Sequence, residues 1–210
     1  MTTFYIVRHG ESEANNLGVI AGHKDYPLTE LGKKQAEETA AHLATVPFDA
    51  VYASDLSRAM QTAEPHARLR GLRVTPSAEL RETFCGDWEG VPFVKAKESD
   101  PCGYASFTAN FILSTLPNGE NVLESGKRVC RELVRIAKAH KEGTVLVVAH
   151  GAVIRALWAL ISHTPLEVAT EKHPYASNSS YSIAYCDGEV LTPGEYSLDA
   201  HLSSVTHLHM

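Results

Sequence analysis

The chain contains few cysteines, and their positions fit neither a metal site nor a redox motif. The four are Cys85, Cys102, Cys130 and Cys186, and no two of them form a Cys-x-x-Cys pair. This scatter argues against a disulfide framework, a zinc ribbon and a thioredoxin-like motif. We therefore expect a protein that folds without disulfides in a reducing, cytoplasmic compartment.

Long hydrophobic runs and clusters of basic residues are also missing. The first apolar run, Phe4 to Val7, ends at Arg8, and the run from Val145 to Ala149 is far shorter than the ~20 residues that cross a bilayer. The formal net charge is −6 at pH 7. Nucleic-acid and membrane-surface proteins rely on broad basic patches, so we expect neither kind of partner.

The remaining composition is that of an ordinary globular protein. Hydrophobic residues make up 44% and charged residues 21% of the 210 positions, both close to the average for soluble domains. A chain of this length can bury a sizeable core without disulfides or metals. We predict a single domain that spans residues 1–210.

Short β-branched runs alternate with amphipathic helical patterns along the chain. Strands are predicted at Thr2–Val7, Asp49–Ala53, Leu72–Thr75 and Thr144–Ala149, followed by a hairpin of Tyr181–Cys186 and Glu189–Thr192. Helices are predicted between Pro27 and Pro47, after a cap at Ser54 or Asp55, at 121–140 and at 152–161. This alternation predicts an α/β fold, a three-layer α/β/α sandwich with a mostly parallel central sheet. A loop/helix insertion at about residues 91–119 would lie over the active site.

The dipeptide His-Gly occurs twice, each time directly after a predicted strand. His9-Gly10 follows the first strand, and His150-Gly151 follows the strand that ends at Ala149. In an open α/β sheet the carboxyl ends of the strands line the ligand crevice, so we expect both histidines in one site. The glycines let the backbone approach a ligand, and nearby helix N-termini favour an anion.

Two arginines and an asparagine complete a candidate anion site. Arg8 precedes the first histidine, and Arg58 falls in the first turn of the helix after the second strand. Guanidinium groups match phosphate oxygens bidentately, so this pair is suited to phosphate, and Asn15 would add an uncharged donor. Taken singly, such residues are more often surface groups. Their combination is what predicts a site.

Several longer motifs occur in a recognisable order. They are RHGESEAN at 8–15, PLTELG at 27–32, SDLSRA at 54–59, LRE at 80–82 with GDWEG at 86–90, and VAHG at 148–151. In these motifs the chain resembles the histidine phosphatase superfamily, which has the phosphoglycerate mutase-like fold. The matches span nearly the whole sequence.

The resemblance implies a role for each candidate residue. His9 would be the nucleophile that becomes a phosphohistidine, and Glu82 would be the general acid and then the general base. The residues that would hold the phosphoryl oxygens are Arg8, Arg58 and His150. Supporting phosphate contacts would come from Asn15, Gly22 and Gly151. No metal or other cofactor is implied, because the arginines supply the positive charge.

The family contains both phosphatases and cofactor-dependent mutases, and the sequence departs from the mutase pattern. No adjacent arginine pair lies between Glu82 and His150, and Ala152 stands where the mutases have asparagine after the second His-Gly. The segment TFCGDWEG at 83–90 resembles instead the broad-specificity phosphatase branch. We predict hydrolysis of a small phosphate monoester. A mutase-type phosphotransferase is the alternative.

A third possibility is a phosphate-ester binding protein that has lost catalysis, although such a protein would be expected to lack His9 or Glu82. The substrate's identity and the oligomeric state stay open. Aromatic and apolar residues of the insertion would either line a substrate pocket or pack the insertion onto the sheet; they are Phe93, Tyr104, Phe107, Phe111 and Leu113. The pair His207 and His209 is too small a ligand set for a metal site.

Overall fold

A computed structural model of the chain describes residues 1–206 and shows a six-stranded sheet between two layers of helices. The strands are β1 Thr2–Arg8, β2 Ala50–Ser54, β3 Val74–Ser77, β4 Thr144–Ala149, β5 Tyr181–Asp187 and β6 Val190–Pro193. The helices are α1 Glu13–Leu17, α2 Glu30–His42, α3 Ser57–Arg68, α4 Phe93–Ser99, α5 Pro101–Ala109, α6 Val122–Ala139, α7 Gly151–Ile161 and α8 Leu166–Lys172. None of these helices is long and apolar enough to cross a membrane. His207 and His209 lie outside the described residues.

The sheet has the order β3-β2-β4-β1-β5-β6 and is parallel across its first four strands. β5 and β6 are antiparallel to their neighbours, as the predicted hairpin requires. Strands β1 and β4 pair so that Val7 lies opposite Val148 and Arg8 opposite Ala149. The residues that follow the two strands therefore leave the sheet at the same edge and the same level.

Strand β4 explains why helices cover both faces of the sheet. Val145 and Val147 belong to the cluster that packs against α6 and α7. Leu146 and Val148 alternate with them and pack against α3 on the opposite face. A strand buried on both faces reads as a continuous apolar run, which is how the sequence predicted it. The predicted three-layer α/β/α sandwich with its mostly parallel sheet is confirmed.

Helices α6 and α7 approach each other closely on one face. Gly126 of α6 faces Ala156 of α7, and a Cβ atom on Gly126 would lie 2.6 Å from the Cβ of Ala156. Helix α7 is buried along almost its whole length. The missing side chain lets α6 pack directly against α7, whose first turn contributes to the site described below.

The start of α3 differs from the prediction. Ser54 or Asp55 is the cap that the sequence predicts, but neither side chain caps this helix. Asp55 instead pairs with Arg81, with both oxygen–nitrogen distances at 2.6 Å. The free backbone N–H of Ser57 donates to Asp25 at 2.8 Å. A distant carboxylate thus satisfies the helix end, which no local pattern reveals.

The insertion predicted at about residues 91–119 contains two helices, α4 and α5. Pro101 reads as a helix breaker, yet it occupies the first turn of α5, where a proline is tolerated. Asp100 caps the same helix by accepting from the N–H of Gly103 at 2.9 Å. Strand β3 also begins two positions later than predicted, at Val74 rather than Leu72.

His66 of α3 is completely buried, and neither of its ring nitrogens has a hydrogen-bond partner within residues 1–206. Burial, and then the charges of Arg70 and His201, lowers its pKa to about 3. In the unfolded chain a histidine has a pKa of about 6.5. The unfolded chain therefore gains a proton below pH ~6.5 that the folded chain does not, and stability is lost as the pH falls from there toward 3.

Replacing His66 with leucine should remove this part of the pH dependence. Between pH 7 and pH 5 the wild-type protein is expected to lose about 2 kcal/mol more of its free energy of unfolding than His66→Leu, because each pH unit between the two pKa values costs about 1.4 kcal/mol. Urea unfolding at a series of pH values measures the free energy of unfolding of both proteins. Parallel pH profiles for the two proteins would contradict the expectation.

Candidate active site

The catalytic side chains predicted from the sequence meet at the carboxyl edge of β1 and β4. Arg8 is the last residue of β1 and His9 follows it, while His150 lies between the end of β4 and the start of α7. The ring centroids of His9 and His150 are 5.1 Å apart. Arg58 reaches the same place from the first turn of α3, and Glu82 from the loop before α4.

The imidazole of His9 is held in one tautomer. Its Nδ1 lies 2.7 Å from the carbonyl oxygen of Gly10. Because a carbonyl only accepts, Nδ1 carries the proton and Nε2 keeps its lone pair. Burial, and then the charges of Arg58 and Arg8, lowers the pKa of His9 well below its ordinary value. The ring is therefore neutral, with a nucleophilic nitrogen free to react.

His150 has the opposite tautomer. The Nε–H of Arg58 donates to its Nδ1 at 3.2 Å, so that Nδ1 holds the lone pair and Nε2 carries the hydrogen. This Nε2 is buried and has no hydrogen-bond partner among residues 1–206. Burial, followed by the charge of Arg58, lowers the pKa of His150 well below its ordinary value. A neutral donor is thus left free beside the imidazole of His9.

Both arginines are buried without a carboxylate partner in the described part of the chain. Arg58 donates to the backbone carbonyls of Gly22 and Lys24 at 2.8 and 3.0 Å. Arg8 donates through one terminal nitrogen to the carbonyl of Ala176, and its Nε has no partner. Burial lowers the pKa of both groups. Carbonyls satisfy N–H groups but do not neutralise charge, so the site attracts an anion.

Glu82 lies at the N-terminus of α7. Its carboxylate accepts from the backbone N–H groups of Ala152 and Val153 at 3.1 and 3.2 Å, and from Thr83 at 2.9 Å. The sequence predicted that N–H groups at a helix N-terminus would bind the ligand. In α7 two of these groups donate to Glu82 instead. Arg128 fixes the backbone from behind by donating to the Glu82 carbonyl at 3.2 Å.

The predicted phosphate-binding residues line the same cavity, each in a different way. Asn15 accepts through its side-chain oxygen from the Ser12 hydroxyl at 2.9 Å, which leaves its amide nitrogen as the available donor. Gly22 lines the cavity and accepts from Arg58 with its carbonyl. Gly151 lies at the first position of α7, where a Cβ would stand 2.7 Å from the ring of Tyr175.

Other side chains hold the His9 loop in place. The Asn178 amide donates to the carbonyl of His9 at 3.1 Å. The N–H of Gly10 donates to the hydroxyl of Thr62 at 3.0 Å. Ser179 adopts a left-handed backbone with φ of 57°, and in this strained conformation its N–H donates to the Arg8 carbonyl at 3.0 Å.

The cavity also contains a residue that no motif predicted. Tyr175, in the loop between α8 and β5, lines it beside Arg8. Behind Tyr175 lies the buried Arg155, whose guanidinium carbon is 5.1 Å from the centroid of the Tyr175 ring. The loop carries no repeat or periodicity that could have revealed Tyr175, and Arg155 lies within α7, where the helical pattern gives no sign of this contact. Only the tertiary structure brings them to the site.

The sequence left open whether the aromatic residues of the insertion line the cavity or pack the insertion in place, and they do both. Phe107 and Phe111 are buried in a cluster with Trp88, and they also line the cavity together with Phe93. Leu113 is 43% exposed and does neither. Residues 1–206 contain no group of three or more histidine, cysteine or acidic side chains placed to hold a metal ion.

Sequence comparison connects this geometry with known proteins. The chain belongs to the histidine phosphatase superfamily (branch 1), which it matches over residues 4–194. It is 34% identical to the adenosylcobalamin/alpha-ribazole phosphatase of Escherichia coli (strain K12) over 163 residues, which are 78% of this chain and 80% of the relative. The predicted family is confirmed.

Two further relatives cover nearly the whole chain. The metal-independent phosphoserine phosphatase of Arabidopsis thaliana is 31% identical over 211 residues, covering 99% of this chain and 86% of the relative. The solved structure of Bacillus stearothermophilus YhfR superposes with a TM-score of 0.90 at 31% identity, covering 97% of this chain and 100% of that one. The relatives thus include named phosphatases.

The close packing at Gly151 predicts an effect on anion binding. Gly151→Ala should weaken binding of inorganic phosphate about 10-fold, because the added methyl group must displace Tyr175 and overpacking of about 1.4 kcal/mol corresponds to that factor. Titration calorimetry measures the affinity for inorganic phosphate. Gly143→Ala is the matched control, since its Cβ would meet no atom closer than 3.0 Å. Equal affinity in the two variants would contradict the prediction.

Proposed function

We propose that the protein is a phosphatase that hydrolyses a small phosphate monoester through a phosphohistidine on His9. One observation carries the proposal. The neutral His9 exposes a lone pair at Nε2, beside the unpartnered Nε2–H of His150 and the unpartnered Nε–H of Arg8. A nucleophile surrounded by free donors and buried positive charge is what phosphoryl transfer requires.

In the first step, Nε2 of His9 attacks phosphorus and the bond to the ester oxygen breaks. Glu82 donates a proton to the departing oxygen, so the alcohol leaves neutral. Arg8, Arg58 and His150 stabilise the charge on the three phosphoryl oxygens. The phosphorylated ring becomes cationic, and the Gly10 carbonyl 2.7 Å from Nδ1 stabilises that charge.

In the second step, Glu82, now a carboxylate, accepts a proton from water. The resulting hydroxide-like oxygen attacks phosphorus, and the bond between phosphorus and Nε2 breaks. Its electron pair returns to Nε2, so that His9 is again neutral and inorganic phosphate leaves. The backbone N–H groups of Ala152 and Val153 hold the Glu82 carboxylate in place for both proton transfers.

Hydrolysis is favoured over a mutase reaction by the charges in the cavity. Among the lining residues within 1–206, the only lysine or arginine side chains are Arg8 and Arg58, and both lie at the end of the cavity near His9. A phosphoglycerate mutase must also bind a carboxylate and a second phosphate. Ala152, at the position where the mutases carry asparagine, presents only a methyl group to the cavity.

We also propose that the reaction needs no metal ion, since the two buried arginines can neutralise the phosphoryl group. The similarity to the Arabidopsis relative, a metal-independent phosphoserine phosphatase, supports this proposal. The single domain over 1–210, the cytoplasmic location and the absence of nucleic-acid partners stay predictions.

The proposal is tested with p-nitrophenyl phosphate in the presence of EDTA. The wild-type protein should release phosphate, and His9→Ala should reduce turnover by at least about 10,000-fold, because the other groups cannot form the covalent intermediate. His42→Ala, which changes an exposed histidine, should retain full activity. Full activity of His9→Ala would contradict the mechanism, and EDTA-sensitive wild-type activity would contradict metal independence.

The role of Glu82 predicts a dependence on the leaving group. Glu82→Gln cannot donate a proton, so kcat/KM should fall about 100- to 10,000-fold for an alkyl phosphate. The loss should be much smaller for p-nitrophenyl phosphate, whose leaving group needs no proton. Glu124→Gln, on the exposed face of α6, serves as the control. Equal losses for both esters would rule out general-acid catalysis by Glu82.

A further inference from the structure

The cavity has two chemically different ends. Positive charge is confined to the end with Arg8 and Arg58, next to His9. The other walls are aliphatic or aromatic and come from the loop between α1 and α2, the insertion and the start of α6; they include Val19, Ile20, Phe93, Phe107, Phe111 and Val122. Nothing along these walls within residues 1–206 could neutralise a second anionic group on a ligand.

The lysines of the insertion add no positive charge to the walls of the cavity. Lys95 is 68% exposed and pairs with Glu98 at 2.8 Å, and Lys97 is exposed on the same short helix. Neither lines the cavity. A carboxylate on the organic part of a substrate would therefore be desolvated against apolar walls without a charged partner, which is unfavourable.

Tyr175 stands where the two ends meet. Its ring centroid is 5.9 Å from the guanidinium carbon of Arg8 and 5.3 Å from the ring centroid of Phe111. The ring also lies against Gly151, where only a hydrogen fits. Its hydroxyl makes no hydrogen bond within the described residues. Burial raises the pKa of this phenol well above its ordinary value, so it stays a neutral donor.

Arg155 holds the Tyr175 ring from behind. Its guanidinium group lies 5.2 Å from the centroid of Phe111 and 5.1 Å from that of Tyr175. It donates to the backbone carbonyls of Thr170 and His173, at the end of α8. The cation thus joins both rings to α8, and buried cation–π contacts of this kind fix ring orientation. Tyr175 is a rigid part of the wall.

We propose that the cavity takes phosphate esters whose organic part is uncharged and largely apolar, and that Tyr175 is the specificity-determining residue that contacts this part. The proposal rests on the phosphatase function proposed above and names its substrate class. The ring of Tyr175 packs against the apolar group next to the ester oxygen. Esters that carry a carboxylate or ammonium group on the organic part are rejected.

The class is tested with alkyl esters, so that differences in the leaving group do not decide the result. 2-Phenylethyl phosphate is compared with O-phosphoserine and with methyl phosphate by phosphate release. We expect kcat/KM to be at least about 10-fold higher for the phenylethyl ester than for either of the others, in line with the discrimination that an apolar pocket supplies. The electron-withdrawing groups of phosphoserine make its alkoxide the better leaving group, which biases the comparison against the expectation.

The role of Tyr175 is tested by comparing the kcat/KM values of two esters in each variant. Tyr175→Leu should lower the ratio of kcat/KM for phenylethyl phosphate over methyl phosphate about 10-fold, because it removes the aromatic wall. Tyr175→Phe, which keeps the ring, should preserve most of this ratio. Tyr185→Leu is the matched control, since Tyr185 lies on β5 and does not line the cavity.

The outcomes separate this proposal from the proposed function. Phosphoserine hydrolysed as efficiently as the phenylethyl ester would overturn the substrate class while leaving the phosphatase intact. An unchanged ratio in Tyr175→Leu would overturn the role of Tyr175. Hydrolysis of no ester, with inorganic phosphate still bound, would overturn the phosphatase function itself and with it the substrate class.

Discussion

The pairing of β1 with β4 is the constraint on which the site depends. Arg8 lies opposite Ala149, and the N–H of His9 donates to the Ala149 carbonyl at 3.0 Å, one position beyond the end of β1. A slip of one residue would turn every side chain of β1 to the other face and separate His9 from His150. The side chains of β4 are close-packed against helices on both faces, and a slip would disrupt that packing.

The second condition is buried positive charge that has no directly bonded carboxylate within residues 1–206. Arg8 and Arg58 are 2% and 1% exposed, and the groups that hold them are carbonyls and an imidazole rather than carboxylates. Removing such charges from water costs free energy, which the rest of the fold must offset. An arriving phosphoryl group relieves that cost. The same burial keeps His9 neutral, so one arrangement provides both the attraction for an anion and the neutral imidazole that the proposed mechanism needs.

The insertion shows how packing and recognition share the same residues. Phe107 and Phe111 stabilise the insertion by packing with each other at a centroid distance of 5.0 Å, and they also form the apolar wall of the cavity. Tyr175 and Arg155 extend this wall from the other side of the site. The organic part of a ligand therefore contacts side chains that the fold already holds rigid.

The sequence by itself determined the α/β class, the strands that carry His9 and His150, and the family, because apolar runs and their following dipeptides are local patterns. It did not determine the capping of α3 by Asp25 or the start of α5 at Pro101, where a motif-based cap and a breaker were predicted. Nor did it reveal Tyr175, which lies in a loop without periodicity. These features depend on contacts between segments far apart in the chain, and such contacts exist only once the sheet and its helices have packed.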